Sequence, residues 1–142
     1  ARSVSQDEQL VETMRAFGEK IGIAFQIKDD LLDYERSGTI GKPAGNDIKE
    51  KKVTLPLIYA LNQADSKEKK DIKRIFGHSR KNGSEVNKII EFVRRHNGLA
   101  QARSTMEQFR DEALQMLSPY ARENEGYNSL VDLVEFTVNR TK

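Results

Sequence analysis

Phe25-Gln26-Ile27-Lys28-Asp29-Asp30-Leu31-Leu32-Asp33-Tyr34 decides how this chain is read. Three carboxylates fall within five residues of an otherwise apolar, helix-compatible run. Residues three and four apart share one face of a helix, so Gly22, Gln26, Asp29 and Asp33 form a stripe with Asp30 on its flank. Like charges one turn apart repel by a few tenths of a kcal/mol on a bare helix. Beside apolar residues such a cluster calls for a cation or a basic partner. Hard divalent cations such as Mg²⁺ match carboxylate oxygens. Spacing alone leaves two readings open: a solvated acidic face with Lys28 nearby, or a cation site. A calcium loop of the EF-hand type does not fit. Asp29, Leu31 and Asp33 do not supply its alternating oxygens, and Tyr34 stands where that loop needs glycine.

N-terminal to the cluster, Leu10, Met14, Phe17, Ile21, Phe25 and Leu32 recur at helical spacing from Ser5 to Tyr34. No proline interrupts them, so one long helix or two parted near Gly18 is expected. Gly18 and Gly22 would allow another helix or a ligand to approach closely. C-terminal to the cluster, Glu35 to Val53 reads as a loop rich in turn formers: Gly38, Gly41, Pro43, Gly45 and Asn46. Ordered loops of about this length tend to be functional. Its Lys42, Lys49, Lys51 and Lys52 supply point charges, and its glycines expose backbone N–H groups, a combination that suits phosphate. The P-loop spacing is absent, and an ordinary surface loop is the alternative. Taken together, an acidic helix and a basic loop outline a site for ionising a diphosphate: carboxylates for Mg²⁺, Mg²⁺ and lysines for the diphosphate.

The remainder reads as helices, giving an all-α bundle of about six. Thr54 is placed to cap a short apolar helix with Pro56 in its first turn. Asp65 and Glu68 have capping-box spacing. Ser84 is expected to cap a helix with Val86, Ile89, Ile90 and Val93 inside, ending at Asn97-Gly98. A longer amphipathic helix runs from Leu99 to Leu117, and the last helix is expected from Asn128 or Ser129. Val53 marks the weak strand candidate. His78 and His96 are spaced as surface residues and not as a ligand pair.

The chain has 142 residues and no cysteine, which excludes a disulfide framework and thiolate metal sites. A formal charge of +2 is too small to argue for nucleic acid or a membrane surface. No run approaches the ~20 apolar residues of a membrane span, and no signal peptide is apparent. A single all-α unit over residues 1–142 is expected, with a cytoplasmic location. A first residue of Ala with helical character beginning at once suggests a fragment or a processed product.

Gly22 to Asp33 resembles the second aspartate-rich motif of trans-isoprenyl diphosphate synthases. Gly41-Lys42-Pro43-Ala44-Gly45-Asn46-Asp47-Ile48-Lys49-Glu50-Lys51-Lys52-Val53-Thr54-Leu55-Pro56 resembles that family's GKPxGxDxxEGKxTLP loop. Val138-Asn139-Arg140 is similar to its C-terminal helix end. The likeness covers essentially the whole chain. It is nearest the long-chain branch (heptaprenyl or octaprenyl type) or the geranylgeranyl synthases. Lys51 stands where the family usually has glycine, so Lys52 matches the functional lysine. Asn46 stands where Thr is common. The family's first aspartate-rich motif, DDxxD, and its accompanying arginines have no counterpart in this sequence.

The resemblance implies the C-terminal part of the isoprenoid synthase fold. It also implies a mechanism in which Mg²⁺ ions clamp an allylic diphosphate between two aspartate-rich helices. The C–O bond ionises, isopentenyl diphosphate attacks the allylic cation, and proton loss yields a chain one isoprene unit longer. Carried over position by position, Asp29 is the direct Mg²⁺ ligand, with Asp30 and Asp33 beside it. Lys42 and Lys52 contact the allylic diphosphate. Gln26 lines the substrate site, and Phe25 faces the core ahead of the prenyl chain. Asp47 binds a lysine or a metal-bound water. The intact enzyme is expected to be a homodimer, and this chain alone is expected to be inactive. The alternative is a non-catalytic helical partner subunit that keeps the fold and binds diphosphate.

Overall fold

The structure is a computed structural model that describes residues 5–35, 45–120 and 125–140. Among the described residues, seven α-helices follow one another: α1 (Gln6–Glu35), α2 (Asn46–Lys49), α3 (Leu55–Gln63), α4 (Ser66–Phe76), α5 (Gly83–Arg95), α6 (Gly98–Leu117) and α7 (Glu125–Asn139). A 3₁₀ turn, Ser118–Tyr120, follows α6. The expected all-α class holds, and Val53 is irregular and exposed rather than part of a strand.

The acidic stretch lies on α1, a single helix that Gly18 does not divide. Neither Gly18 nor Gly22 meets a close neighbour: a Cβ at either would find nothing within 4 Å among the described residues. The extra helix relative to the sequence expectation is α2, one turn inside the segment read as loop. Its short length hides it from any 3.6-residue periodicity.

The chain gathers into two compact units. One comprises Asp29–Ser104, and the other Ala1–Lys28 with Thr105–Lys142. The first is built on Tyr34, Ile48, Leu57, Ala60, Ile72, Ile75, Val86, Ile89, Ile90, Phe92 and Val93, all buried together. Full burial of a Val, Leu, Ile or Phe side chain contributes about 1.5–3 kcal/mol, so this cluster is the main reason the unit folds.

Local signals differ from expectation in three places. Asp65 accepts the Glu68 amide at 2.8 Å as an N-cap should. Glu68, however, turns its carboxylate to His96 and Arg95 rather than back to the cap. Asn82, not Ser84, caps α5, and a full capping box with Glu85 forms there. The helix therefore starts two residues earlier than expected, and Val86 and Ile89 are buried as expected. Thr54 occupies the N-cap position of α3, but its side chain makes no capping bond. Gly98, where α5 was expected to end, instead opens α6. A Cβ there would lie 2.2 Å from the Pro56 carbonyl oxygen, so only glycine lets α6 start against α3.

The second unit buries Phe17, Ile21, Ala113, Leu117 and Val134, with Met14, Leu114, Met116, Tyr127 and Leu130 packed around them. Lys20 bridges α1 to α6 through Glu112 at 2.8 Å. The last helix begins at Glu125, earlier than Asn128 or Ser129, and so carries Tyr127 onto this core.

Candidate functional site

Asp33 lies at the C-terminal end of α1 and is only 6% exposed. Both of its carboxylate oxygens are engaged. Oδ1 accepts the Asn46 amide at 3.1 Å and Oδ2 the Asp47 amide at 3.2 Å. The Gly45 amide also reaches the Asp33 carbonyl at 3.4 Å. A side chain from α1 thus satisfies the first free N–H groups of α2, which otherwise lack acceptors. Gly45 makes this approach possible. Its φ is +74°, and a Cβ there would fall 2.6 Å from Val86 Cγ1.

The other end of α2 closes on itself. The Lys51 amide donates to the Ile48 carbonyl at 3.1 Å, and the Lys52 amide to the Asp47 carbonyl at 2.7 Å. This is a Schellman turn, whose central residue adopts a left-handed conformation and is usually glycine. Lys51 has φ +58°. The glycine of the motif that Lys51 replaces therefore has a backbone reason: the position demands positive φ. Lysine holds it here at some cost in strain.

Pinned at both ends, α2 delivers two charged groups to α1. Lys52 Nζ lies 3.4 Å from Asp30 Oδ1 and 3.8 Å from Asp47 Oδ1. The lysine side chain is half exposed at 49%, whereas Asp30 and Asp47 are 13% and 18% exposed. One ammonium serves two sheltered carboxylates. Burial pushes Asp30 above the ordinary carboxylate range; Lys52 pulls it back, and Asp47 and Asp29 push it further up. Asp47 is raised likewise, by burial first and then by the Asp33 charge, against the pull of Lys52. Asp30 and then Asp47 raise Lys52 above the ordinary lysine value. Beneath this cluster the Tyr34 hydroxyl meets Thr54 Oγ1 at 3.2 Å, which is why Thr54 does not cap α3. Burial raises the Tyr34 phenol far above its usual value, and Asp33, Asp47 and Asp30 add to the effect, so it stays neutral.

Of the residues expected from sequence, Asp29, Asp30, Asp33 and Lys52 fall in one unit with Asp47. Lys42 lies outside the described residues. Gln26 is exposed on α1. Phe25 does not join the core: it is 41% exposed. The Arg140 guanidinium stands 4.0 Å over its ring, and Arg140 Nη2 donates to the Phe25 carbonyl at 3.2 Å. The solvated-face reading fails as well, because Asp33 is buried and Lys28 is 5% exposed. His78 and His96 bond to Glu85 and Glu68, and neither is near the cluster by contact. Sequence reasoning gave Asp47 less weight than the geometry does. Its signal was the two-residue step from Gly45, which places it in the first turn of α2.

Among the described residues, no group of three His, Cys, Asp or Glu side chains converges into a metal cage. Asp30 and Asp47 nonetheless fit a hard cation. They are sheltered oxygen donors, raised above the ordinary carboxylate range by burial and by neighbouring aspartates. No helix of the described residues is long and apolar enough to cross a membrane.

An all-helical unit carrying an acidic helix end and a basic turn defines a class before any comparison. Comparison with known proteins agrees. The polyprenyl synthetase family model matches residues 1–93, and the chain belongs to that family. It is similar to the mitochondrial hexaprenyl pyrophosphate synthase of Saccharomyces cerevisiae, 35% identical over 127 residues. That match takes in 89% of this chain and 26% of the yeast protein. Among solved structures, geranylgeranyl pyrophosphate synthase from Bacteroides thetaiotaomicron superposes with a TM-score of 0.80 at 35% identity, covering 97% of this chain and 44% of that one. Geranylgeranyl pyrophosphate synthase from Corynebacterium glutamicum, complexed with isoprenyl diphosphate and magnesium, gives a TM-score of 0.77 at 30% identity, covering 93% and 38%. The chain thus spans less than half the length of each of these relatives.

Proposed function

We propose that this chain is the metal-binding C-terminal part of a polyprenyl diphosphate synthase, which joins an allylic diphosphate to isopentenyl diphosphate. The observation that carries this reading is the pair of sheltered carboxylates, Asp30 and Asp47, raised by burial and by neighbouring aspartates although Lys52 stands beside both. Asp29 and Asp30 form the acidic jaw that would face Mg²⁺, and Asp33 completes the acidic trio at the start of α2. Bound Mg²⁺ would supply positive charge to the diphosphate as it departs. Lys52, and Lys42 in the same motif, neutralise diphosphate oxygens. Gln26 and Phe25, both exposed on α1, face the substrate. Lys52, half exposed beside Asp30 and Asp47, would be within reach of a diphosphate held at the acidic face.

The enzyme works as a homodimer in this reading. The acidic trio is intact and Lys52 is in place, which favours an enzyme over a non-catalytic partner subunit. The opposing aspartate-rich motif is absent from this sequence, so the 142-residue chain alone does not turn over farnesyl diphosphate with isopentenyl diphosphate. In an intact enzyme containing this sequence, Asp29→Ala should lower kcat/KM by about 10²–10³-fold or more, whereas Asp71→Ala should leave it unchanged. Near-normal turnover by Asp29→Ala in steady-state assays would rule out the metal role.

A further inference from the structure

We infer that Asp33 is a positioning residue: its carboxylate holds α2 in place through the Asn46 and Asp47 amides instead of ligating the cation. The inference deepens the proposed function and takes its catalytic meaning from it, but the geometry stands without any metal. Asp33 is 6% exposed, and each oxygen already accepts a backbone N–H, at 3.1 and 3.2 Å. A carboxylate so engaged is fixed in rotamer and turned toward α2. Asp30, one helical turn earlier, faces the Lys52 ammonium at 3.4 Å.

The anchoring has a reach of several residues. Asp33 fixes Asn46 and Asp47 at the start of α2. The Asp47 carbonyl then takes the Lys52 amide at 2.7 Å, so the Lys52 backbone is tied to the same turn. Asp33 therefore sets where both Asp47 and Lys52 stand relative to Asp30. Gly45, with φ +74° and no Cβ, lets the start of α2 pack close against Val86. The acidic trio divides its work: Asp29 and Asp30 keep the charge that a cation meets, and Asp33 keeps the basic turn beside them.

The test uses the ¹⁵N-labelled 142-residue chain without divalent ions. In Asp33→Asn, amide hydrogen exchange at Asn46 and Asp47 should quicken by about tenfold or more, because bonds to a charged acceptor are lost. Exchange at Ile89 and Phe92 should not change. Asp33→Glu keeps the charge but lengthens the arm, and it should quicken the same two amides; it also guards against failure of the first variant to fold. Unchanged protection of Asn46 and Asp47 in both variants would overturn the inference. Mn²⁺ is then titrated in as a paramagnetic probe. Broadening at the Asp29 and Asp30 amides should persist in Asp33→Asn, while that at Asp47 is lost. Loss of broadening at Asp29 and Asp30 with Asp47 protection intact would make Asp33 a ligand and sink the idea. If Mn²⁺ broadens nothing even in the parent chain, the metal reading fails, and the exchange data alone decide the role of Asp33.

Discussion

Two acid–base clusters in the Asp29–Ser104 unit use the same residue types to opposite effect. On α4 and α5, Asp71 is shared by Arg74 at 2.5 Å and Lys88 at 2.9 Å, all of them at the surface. Two cations serve one carboxylate, and the hydrogen bonds from Lys88 and Arg74 hold Asp71 below its ordinary range. Between α1 and α2 the ratio is reversed: one ammonium serves two carboxylates, at 3.4 and 3.8 Å and in greater shelter. The first cluster is electrostatically satisfied and adds little beyond local order, as exposed pairs usually do. In the second, burial and neighbouring aspartates hold Asp30 and Asp47 above the ordinary range despite Lys52. Perturbed groups of this kind gather at functional sites.

The contrast breaks most strongly through the backbone. Gly45→Ala forces a left-handed Cβ against Val86 and should cost about 3 kcal/mol, measured by urea unfolding. Gly83→Ala on α5 meets nothing within 4 Å and should change little. If both variants melt alike, α2 is not wedged as described.

Acid titration sharpens the contrast by sign. Asp30 and Asp47 are raised in the folded chain, so between the ordinary and the raised values the folded state holds more protons than the unfolded state. Their contribution to stability therefore improves as pH falls through that window. Asp71 is lowered, so its contribution, present above the ordinary carboxylate value, is lost as pH falls through its folded value. Asp30→Asn should accordingly stabilise the metal-free chain near neutral pH, by less than about 1 kcal/mol. Asp71→Asn should destabilise it. Unfolding curves for both variants between about pH 7 and pH 3 check the opposite slopes. Parallel slopes would erase the distinction between the clusters.

The smallest expected effect is at Lys51. Lys51→Gly relieves the positive φ of the Schellman turn and should stabilise the chain by up to about 1 kcal/mol, with the Asp30–Lys52 pairing retained. Destabilisation by this variant in thermal melts would show that the lysine side chain contributes more than its backbone strain costs.

The site was legible in sequence where chemistry is local. Spacing placed Asp29 and Asp33 on one helical stripe, and turn formers marked the segment that carries Gly45, Asp47 and Lys52. Legibility failed where a neighbour decides. The apolar pattern of α1 sent Phe25 to the core, but it is Arg140, distant in sequence, that stacks on its exposed ring. Ser84 looked like a cap because hydroxyls cap helices, yet Asn82 with Glu85 satisfies both ends of the box. Thr54 was a sound capping residue until the buried Tyr34 hydroxyl claimed its oxygen.

By itself the sequence determined the all-α class, the long uninterrupted α1, the acidic face and the basic turn that follows it. Each follows from helical periodicity, glycine and proline placement, or the chemistry of a side chain. Only the tertiary structure decided that Asp33 is buried under the start of α2, that Asp47 joins Asp30, and that Lys52 stands between them. Periodicity says which residues share a face. It does not say which backbone amides will cover that face, and here those amides separate one aspartate of the trio from the other two.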